Sequence, residues 1–281
     1  MSALAKTDYA RWSLSEAVVA DLAGKGLHLF EERLDGRACA ALLAEIRARR
    51  RFDESLFLTE AEYAAGSAER PGANLLDRLD AARLAFVERA PQVVEALWSL
   101  LGPDYRLLER RLVCVMPQRC TPAWIRRRAE SGRIGDLSAF VRPELRDLDY
   151  LGGADFAQDP TADARVVTLH VPLHAVTEAH APVQVLEGSH RLGFSAFPHD
   201  LKRAGQDSWR YRNAVHGEMY VTERALTGEA GAAALWHACT LTGVRAEAAE
   251  HERISLRYRF ARGEARHAGL DEVNASLAGP L

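Results

Sequence analysis

Val167–Gly193 reads VTLHVPLHAVTEAHAPVQVLEGSHRLG. With Val166 it begins as an alternating run. Val167, Leu169, Val171 and Leu173 share one face; Thr168, His170 and His174 share the other. Period two with branched residues marks a strand with one side in a core. Ala181-Pro182 interrupts the pattern, Val183–Leu186 resumes it as a second strand, and Gly188 turns the chain again.

Working outward, the N-terminal side is helical. Asp35 precedes a helix over Gly36–Arg51 that carries Leu42, Leu43 and Ile46 at helical spacing. Asn74 can cap a helix holding Leu75, Leu76, Leu79, Ala82, Leu84 and Phe86. Pro91 opens a third through Leu101, with Val94, Leu97, Trp98 and Leu101 on one face and Gly102-Pro103 as its stop. After residue 104 strands take over: Arg111–Met116, Ala232–His237 and Arg253–Phe260. In the last, Ile254, Leu256, Tyr258 and Phe260 oppose Arg253, Ser255, Arg257 and Arg259. The polar stretch from Lys202 to Val221 reads as a loop or lid, and the tail from Gly263 as weakly ordered. Helices first and strands afterwards predict an α+β fold: a jelly-roll core with the N-terminal helices packed outside its major sheet.

The 281 residues, 48% hydrophobic and 27% charged, have an ordinary globular composition. They predict a single domain over 1–281, with a helical part about 10–103 and a jelly-roll about 104–262. A formal net charge of -3 argues against nucleic acid or an anionic membrane as partner. The basic runs Arg47–Arg51 and Arg126–Arg128 read as solvated faces, or as a patch for an anionic substrate tail. Cys39, Cys114, Cys120 and Cys239 form no CxxC pair, so a structural zinc site is not expected. No apolar run reaches about 18 residues, and Met1–Tyr9 lacks a signal-peptide core. A cytoplasmic protein is the resulting expectation.

The opening stretch resembles the signature of the phytanoyl-CoA-dioxygenase-like oxygenases, a branch of the Fe(II)/2-oxoglutarate oxygenase superfamily. APVQV and EGSHRLG carry the likeness. The flanks agree in order. Asp147–Asp159 (DLDYLGGADFAQD) resembles the segment that ends in His-x-Asp, and Leu235–Val244 (LWHACTLTGV) the one that ends in Leu-His-Gly. Over about residues 100–260 the resemblance implies a double-stranded β-helix. It places the first iron histidine at Ala157, the carboxylate at Asp159, the second histidine at Thr242 and the 2-oxoglutarate arginine at Arg253. The chain departs from the family at both histidines. One of three metal positions, Asp159, keeps a donor, where a non-haem iron site needs two imidazoles and a carboxylate.

No other histidine has the spacing to take over. His170 and His174 lie ~13 Å apart along a strand at ~3.3 Å per residue. His190 reads as a turn residue. His237, five residues before Thr242, faces away if both share one strand. Arg253 has two readings: a carboxylate grip, since guanidinium binds carboxylates bidentately, or one of three alternating strand arginines each paired with an acid.

The expected site is therefore a polar pocket with Asp159 as candidate general acid or base and Arg253, Arg257, Thr242, Ala157, His170 and His174 as ligand-binding residues. No metal and no cofactor is expected. The leading reading is a protein that binds, or acts without metal on, a small polar biosynthetic metabolite. If it is an enzyme, isomerase, lyase or cyclase chemistry fits. The alternatives are an active Fe(II)/2-oxoglutarate hydroxylase with unusual ligands, which would use both iron and 2-oxoglutarate, and a non-catalytic partner of another pathway enzyme. Oligomeric state is left open by the residues.

Overall fold

The computed structural model describes residues 15–66, 76, 79–130, 137–142, 148–150, 156–158, 166–194, 200–213, 217–245, 249–264, 271, 273 and 274. In chain order the elements are α1 (Glu16–Lys25), β1 (Leu27–Leu29), α2 (Gly36–Arg49), α3 (Glu60–Ala64), α4 (Ala85–Glu88), α5 (Pro91–Leu101), β2 (Arg106–Val115), α6 (Ala123–Glu130), β3 (Leu148–Tyr150) and β4 (Val166–Pro172). There follow β5 (Val183–Glu187), β6 (Asp200–Arg203), β7 (Ser208–Asn213), β8 (Gly217–Ala225), β9 (Ala234–His237), β10 (Thr242–Val244) and β11 (Arg253–Ala261).

The strands form a six-stranded sheet, β1-β9-β4-β11-β2-β3, and a five-stranded sheet, β10-β5-β8-β7-β6. Pairing is antiparallel except between β2 and β3. The helices lie where caps and apolar stripes put them. Asp35 accepts from the Arg37 and Ala38 N–H groups at the start of α2, and Pro91 opens α5. Their buried faces (Leu22, Leu42, Ile46, Leu97) join one core with Leu112, Cys114, Leu169, Leu235, Leu256 and Tyr258 from the outer face of the six-stranded sheet. The helical layer thus sits outside that sheet, and the fold is the expected double-stranded β-helix.

A second cluster lies between the sheets. Val115, Ala234 and Trp236 meet Val183, Val185 and Val244 there. Because side chains alternate along a strand, the residues interleaved with the outer core must face this interior. On β11 these are Arg253, Ser255, Arg257 and Arg259, and on β4 Thr168 and His170, as the register Arg257↔His170 and Arg259↔Thr168 requires.

Four expectations need correction or qualification. Lys202–Val221 is no loop: β6, β7 and β8 fill most of it as an antiparallel extension of the smaller sheet. One face of that extension is polar, which masked the alternation; Tyr211 and Val221 bury the other against Leu186 and Leu192. Asn74 lies outside the described residues, and Asp80 caps a 3-10 turn, Ala81–Leu84, that leads into α4. His237 and Thr242 do not share a strand, since β9 ends at His237 and β10 starts in the other sheet. In the tail, Val273 is fully buried in the main core and Asn274 Oδ1 meets His237 Nε2 at 3.0 Å.

Candidate functional site

Ala157 and Thr242 face each other. The Ala157 N–H donates to the Thr242 carbonyl at 2.8 Å, and the Thr242 N–H returns a bond to Ala157 O at 2.9 Å. This reciprocal pair brings the Cα atoms to about 5.5 Å with both side chains on one side. Thr242 also pairs with Val185 of the inter-sheet cluster, so that side is the barrel interior. Gln158 and Phe156 point the other way. The Gln158 amide donates to Gly193 O and Cys239 O at 2.7 and 2.8 Å, and Phe156 packs on Gly243. The two positions that the sequence resemblance assigns to histidines are thus neighbours. Asp159 lies outside the described residues.

Arg253 is fully buried at the start of β11. Its Nη1 donates to Ala181 O at 2.7 Å, while Nε and Nη2 have no partner among the described residues. These two nitrogens form the side-on fork that receives a carboxylate. Burial lowers the guanidinium's affinity for its proton, to a pKa of about 10; it remains a cation at neutral pH. Two positions along the same face, Ser255 Oγ is also buried with no partner among the described residues. Sequence reading missed Ser255, although its i, i+2 offset from Arg253 was a sufficient signal. It missed Ala181 too. That residue adopts φ +47°, the one non-glycine in the left-handed region among the described residues.

His170 is 4% exposed, and no hydrogen bond reaches its ring from the described residues. Burial first, then the charges of Arg253 and Arg257, drive its pKa down to about 3 and keep it neutral. Its ring lies 6.0 Å from that of Trp236. His174 is engaged differently. Nδ1 meets Ala175 O at 2.8 Å and Nε2 accepts the Ile254 N–H at 3.1 Å, so both nitrogens serve the backbone beside Arg253. His180 and His251 continue a row of imidazoles from it, with centroids 5.3 Å apart at each step.

Arg257 and Arg259 converge with Arg111 on Glu109. Arg259 Nε lies 3.2 Å and Arg257 Nη2 3.9 Å from its carboxylate, and Arg111 contacts it directly. The acid-paired reading therefore holds for these arginines, while no acid among the described residues pairs with Arg253. His190 is a structural joint. Its Nε2 lies 3.1 Å from Ala23 O, and the Gly188 N–H donates to Lys25 O at 2.7 Å. A Cβ on Gly26 would come 2.4 Å from its Nδ1. The glycine-ended α1 is thereby fastened to the turn after β5.

The donor set can be tested against ferrous ion. Ala157 has no lone pair, and a neutral Thr242 hydroxyl is a poor iron ligand. Among the described residues no group of three His, Cys, Asp or Glu side chains can hold a metal. These residues do not fit iron. The Arg253 fork with Ser255 does fit a carboxylate.

The architecture recurs in solved structures. The chain is similar to "Non-heme monooxygenase, ThoJ-Ni complex" at 13% identity, with 93% of this chain and 96% of that one aligned and a TM-score of 0.51. It is similar to the "non-heme alpha ketoglutarate dependent epimerase SnoN from nogalamycin biosynthesis" at 16% identity, over 95% and 92% of the chains, TM-score 0.51. It is also similar to AviO1 from Streptomyces viridochromogenes Tue57 at 15% identity, over 90% and 98%, TM-score 0.50. At such identities the likeness is one of fold: the double-stranded β-helix found in non-haem, 2-oxoglutarate-type enzymes. No protein-family model and no curated protein matches the sequence. Among the described residues no helix is long and apolar enough to cross a membrane.

Proposed function

We infer that this chain is a carboxylate-binding member of the oxygenase fold that works without iron: Arg253 and Ser255 hold a small anionic biosynthetic metabolite in the barrel. The observation that carries this reading is the buried Arg253 guanidinium, whose Nε and Nη2 have no partner and which has no acid beside it among the described residues. A buried cation left without its counter-charge is costly, and a ligand carboxylate offsets that cost. The absence of imidazole at 157 and 242, on strands that pair where two ligands would converge, supports the metal-free half of the reading. Kinship with phytanoyl-CoA-dioxygenase-like proteins rests on the four ordered motifs. A single domain in the cytoplasm, acting on a small molecule rather than on nucleic acid or membrane, completes the proposal.

The test is calorimetric titration of the metal-stripped protein with 2-oxoglutarate and glutarate in the presence of a chelator. One-site binding that Arg253→Met abolishes is the expected result. The competing reading, an iron-dependent hydroxylase, draws on the fold it shares with the epimerase SnoN in complex with Fe3+ and alpha ketoglutarate. Stoichiometric iron after anaerobic reconstitution, with substrate-dependent succinate release, would establish that reading and overturn ours.

A further inference from the structure

We propose that His170 is a specificity residue of this pocket: it reads an uncharged oxygen, ketone or hydroxyl, on the ligand whose carboxylate Arg253 holds, so that the site selects oxo or hydroxy acids over plain aliphatic acids. The proposal rests on the carboxylate reading above and extends it to the other end of the ligand.

Two further kinds of group on the inward face lie close to Arg253 along β11 and its neighbour β4. Ser255 follows on the same strand, and His170 stands opposite Arg257 on β4. Like Ser255, His170 is a buried side chain that no described residue satisfies, and the fold does not use it for capping or turn formation. His174, by contrast, has both nitrogens bonded to backbone, and His190 is held at Ala23. A neutral imidazole offers one N–H donor and one lone pair. The N–H suits a ketone oxygen and the lone pair suits a hydroxyl proton. With two arginines within electrostatic reach, the ring stays neutral and does not itself supply a positive charge for a second carboxylate. Arg253 and His170 lie two same-face positions apart along the β11 register, with Ser255 between them. A ligand that touches both is an extended chain with its acid at one end.

The probes are glutarate, 2-hydroxyglutarate, 2-oxoglutarate, adipate and 2-oxoadipate, titrated into the metal-free full chain. We expect an oxo or hydroxy member to bind about tenfold tighter than its plain counterpart, the size of one buried hydrogen bond. His170→Phe should cut that ratio to below about twofold while leaving the plain diacids within about threefold of wild type. His170→Gln, which keeps a donor and an acceptor, should recover part of the ratio; it also serves if the phenylalanine variant fails to fold. A preference that survives both substitutions, or no preference in the wild type, overturns the role of His170 while leaving the carboxylate grip standing. If no diacid binds and Arg253→Met changes nothing, the grip itself is refuted and this proposal with it.

Discussion

The two walls of the barrel differ in what one substitution can remove. On β11 a single long side chain carries the proposed anion site. Arg253 carries its own charge and its own fork, and needs from the fold a burial site and one carbonyl, Ala181 O. On the opposite wall, the Ala157–Thr242 bridge would need two imidazoles aimed at a common point with a carboxylate beside them. Here the backbone juxtaposition is present with an alanine and a threonine at the two positions. Anion recognition is a property of one residue and its surroundings, whereas metal binding belongs to a set and ends when members are replaced.

The sharpest way to break this contrast is at Arg253. Arg253→Met should weaken diacid binding by at least about 100-fold, since it truncates one partner of a buried charged contact. The ligand-free protein should lose less than about 1 kcal/mol of stability, because the lost guanidinium is desolvated with no counter-charge among the described residues. Chemical denaturation with and without diacid checks both halves. A large loss of stability in the ligand-free protein would mean the arginine serves the fold and not a ligand.

The other wall can be rebuilt. Ala157→His with Thr242→His places two imidazoles on a reciprocal hydrogen-bonded pair, close enough for one ion. The double variant should bind Ni(II) or Co(II) about 100-fold more tightly than either single variant, through the effective concentration of the second ligand. Metal titration followed by absorbance is the measurement. Equal affinities in the three variants would mean the side chains do not converge, and the contrast between the walls would lose its second term of comparison.

The interior should also reveal itself through pH. His170 is held neutral with a folded pKa of about 3, against about 6.5 in the unfolded chain. The unfolded state therefore binds the extra proton, and the contribution is intact above pH ~6.5 and is lost progressively down to pH ~3. His190, likewise near 3 through burial and the neighbouring His237, adds a parallel loss. Between pH ~6.5 and ~5, His170→Phe should lose about 1.6 kcal/mol less than wild type. Parallel curves for the two proteins would mean His170 is wetter than its burial indicates.

The sequence made the outer core legible because its alternation is clean. Val167, Leu169 and Val171 pack where period two puts them. The family resemblance, not alternation, put Ala157 and Thr242 at one site, where the backbone pairs them; alternation set Arg253 opposite the outer-core residues of β11. It failed where polarity hid the pattern. Trp209–Arg212 alternates a half-buried face with arginines and so read as a lid, although Tyr211 is fully buried. The partners of Arg253 were also out of reach. That its neighbours on β11 find Glu109 while it finds a carbonyl depends on register with β2 and on the turn before β5, neither of which one strand's pattern encodes. For Ser255 the signal existed, since a hydroxyl two residues from a buried arginine must share its face.

Ala181 offers the finest test of the comparison, because it is where the backbone gives way to serve the arginine. At φ +47° an alanine costs about 1–2 kcal/mol relative to its relaxed conformation, and glycine would remove that strain. Glycine also loses about 0.4–1 kcal/mol through the greater freedom of the unfolded chain. Ala181→Gly should therefore raise stability by a net of about 0.5–1 kcal/mol, read from the denaturation midpoint. The cost would appear in binding. The Ala181 carbonyl fixes Nη1 of Arg253 and hence the direction of the free fork, so a looser backbone at 181 should weaken diacid affinity by about two- to threefold at equal or higher stability. Stability and affinity then move in opposite directions, which a purely structural role for this turn would not produce; a variant that is both more stable and equally tight would show that the fork needs no anchor beyond its burial.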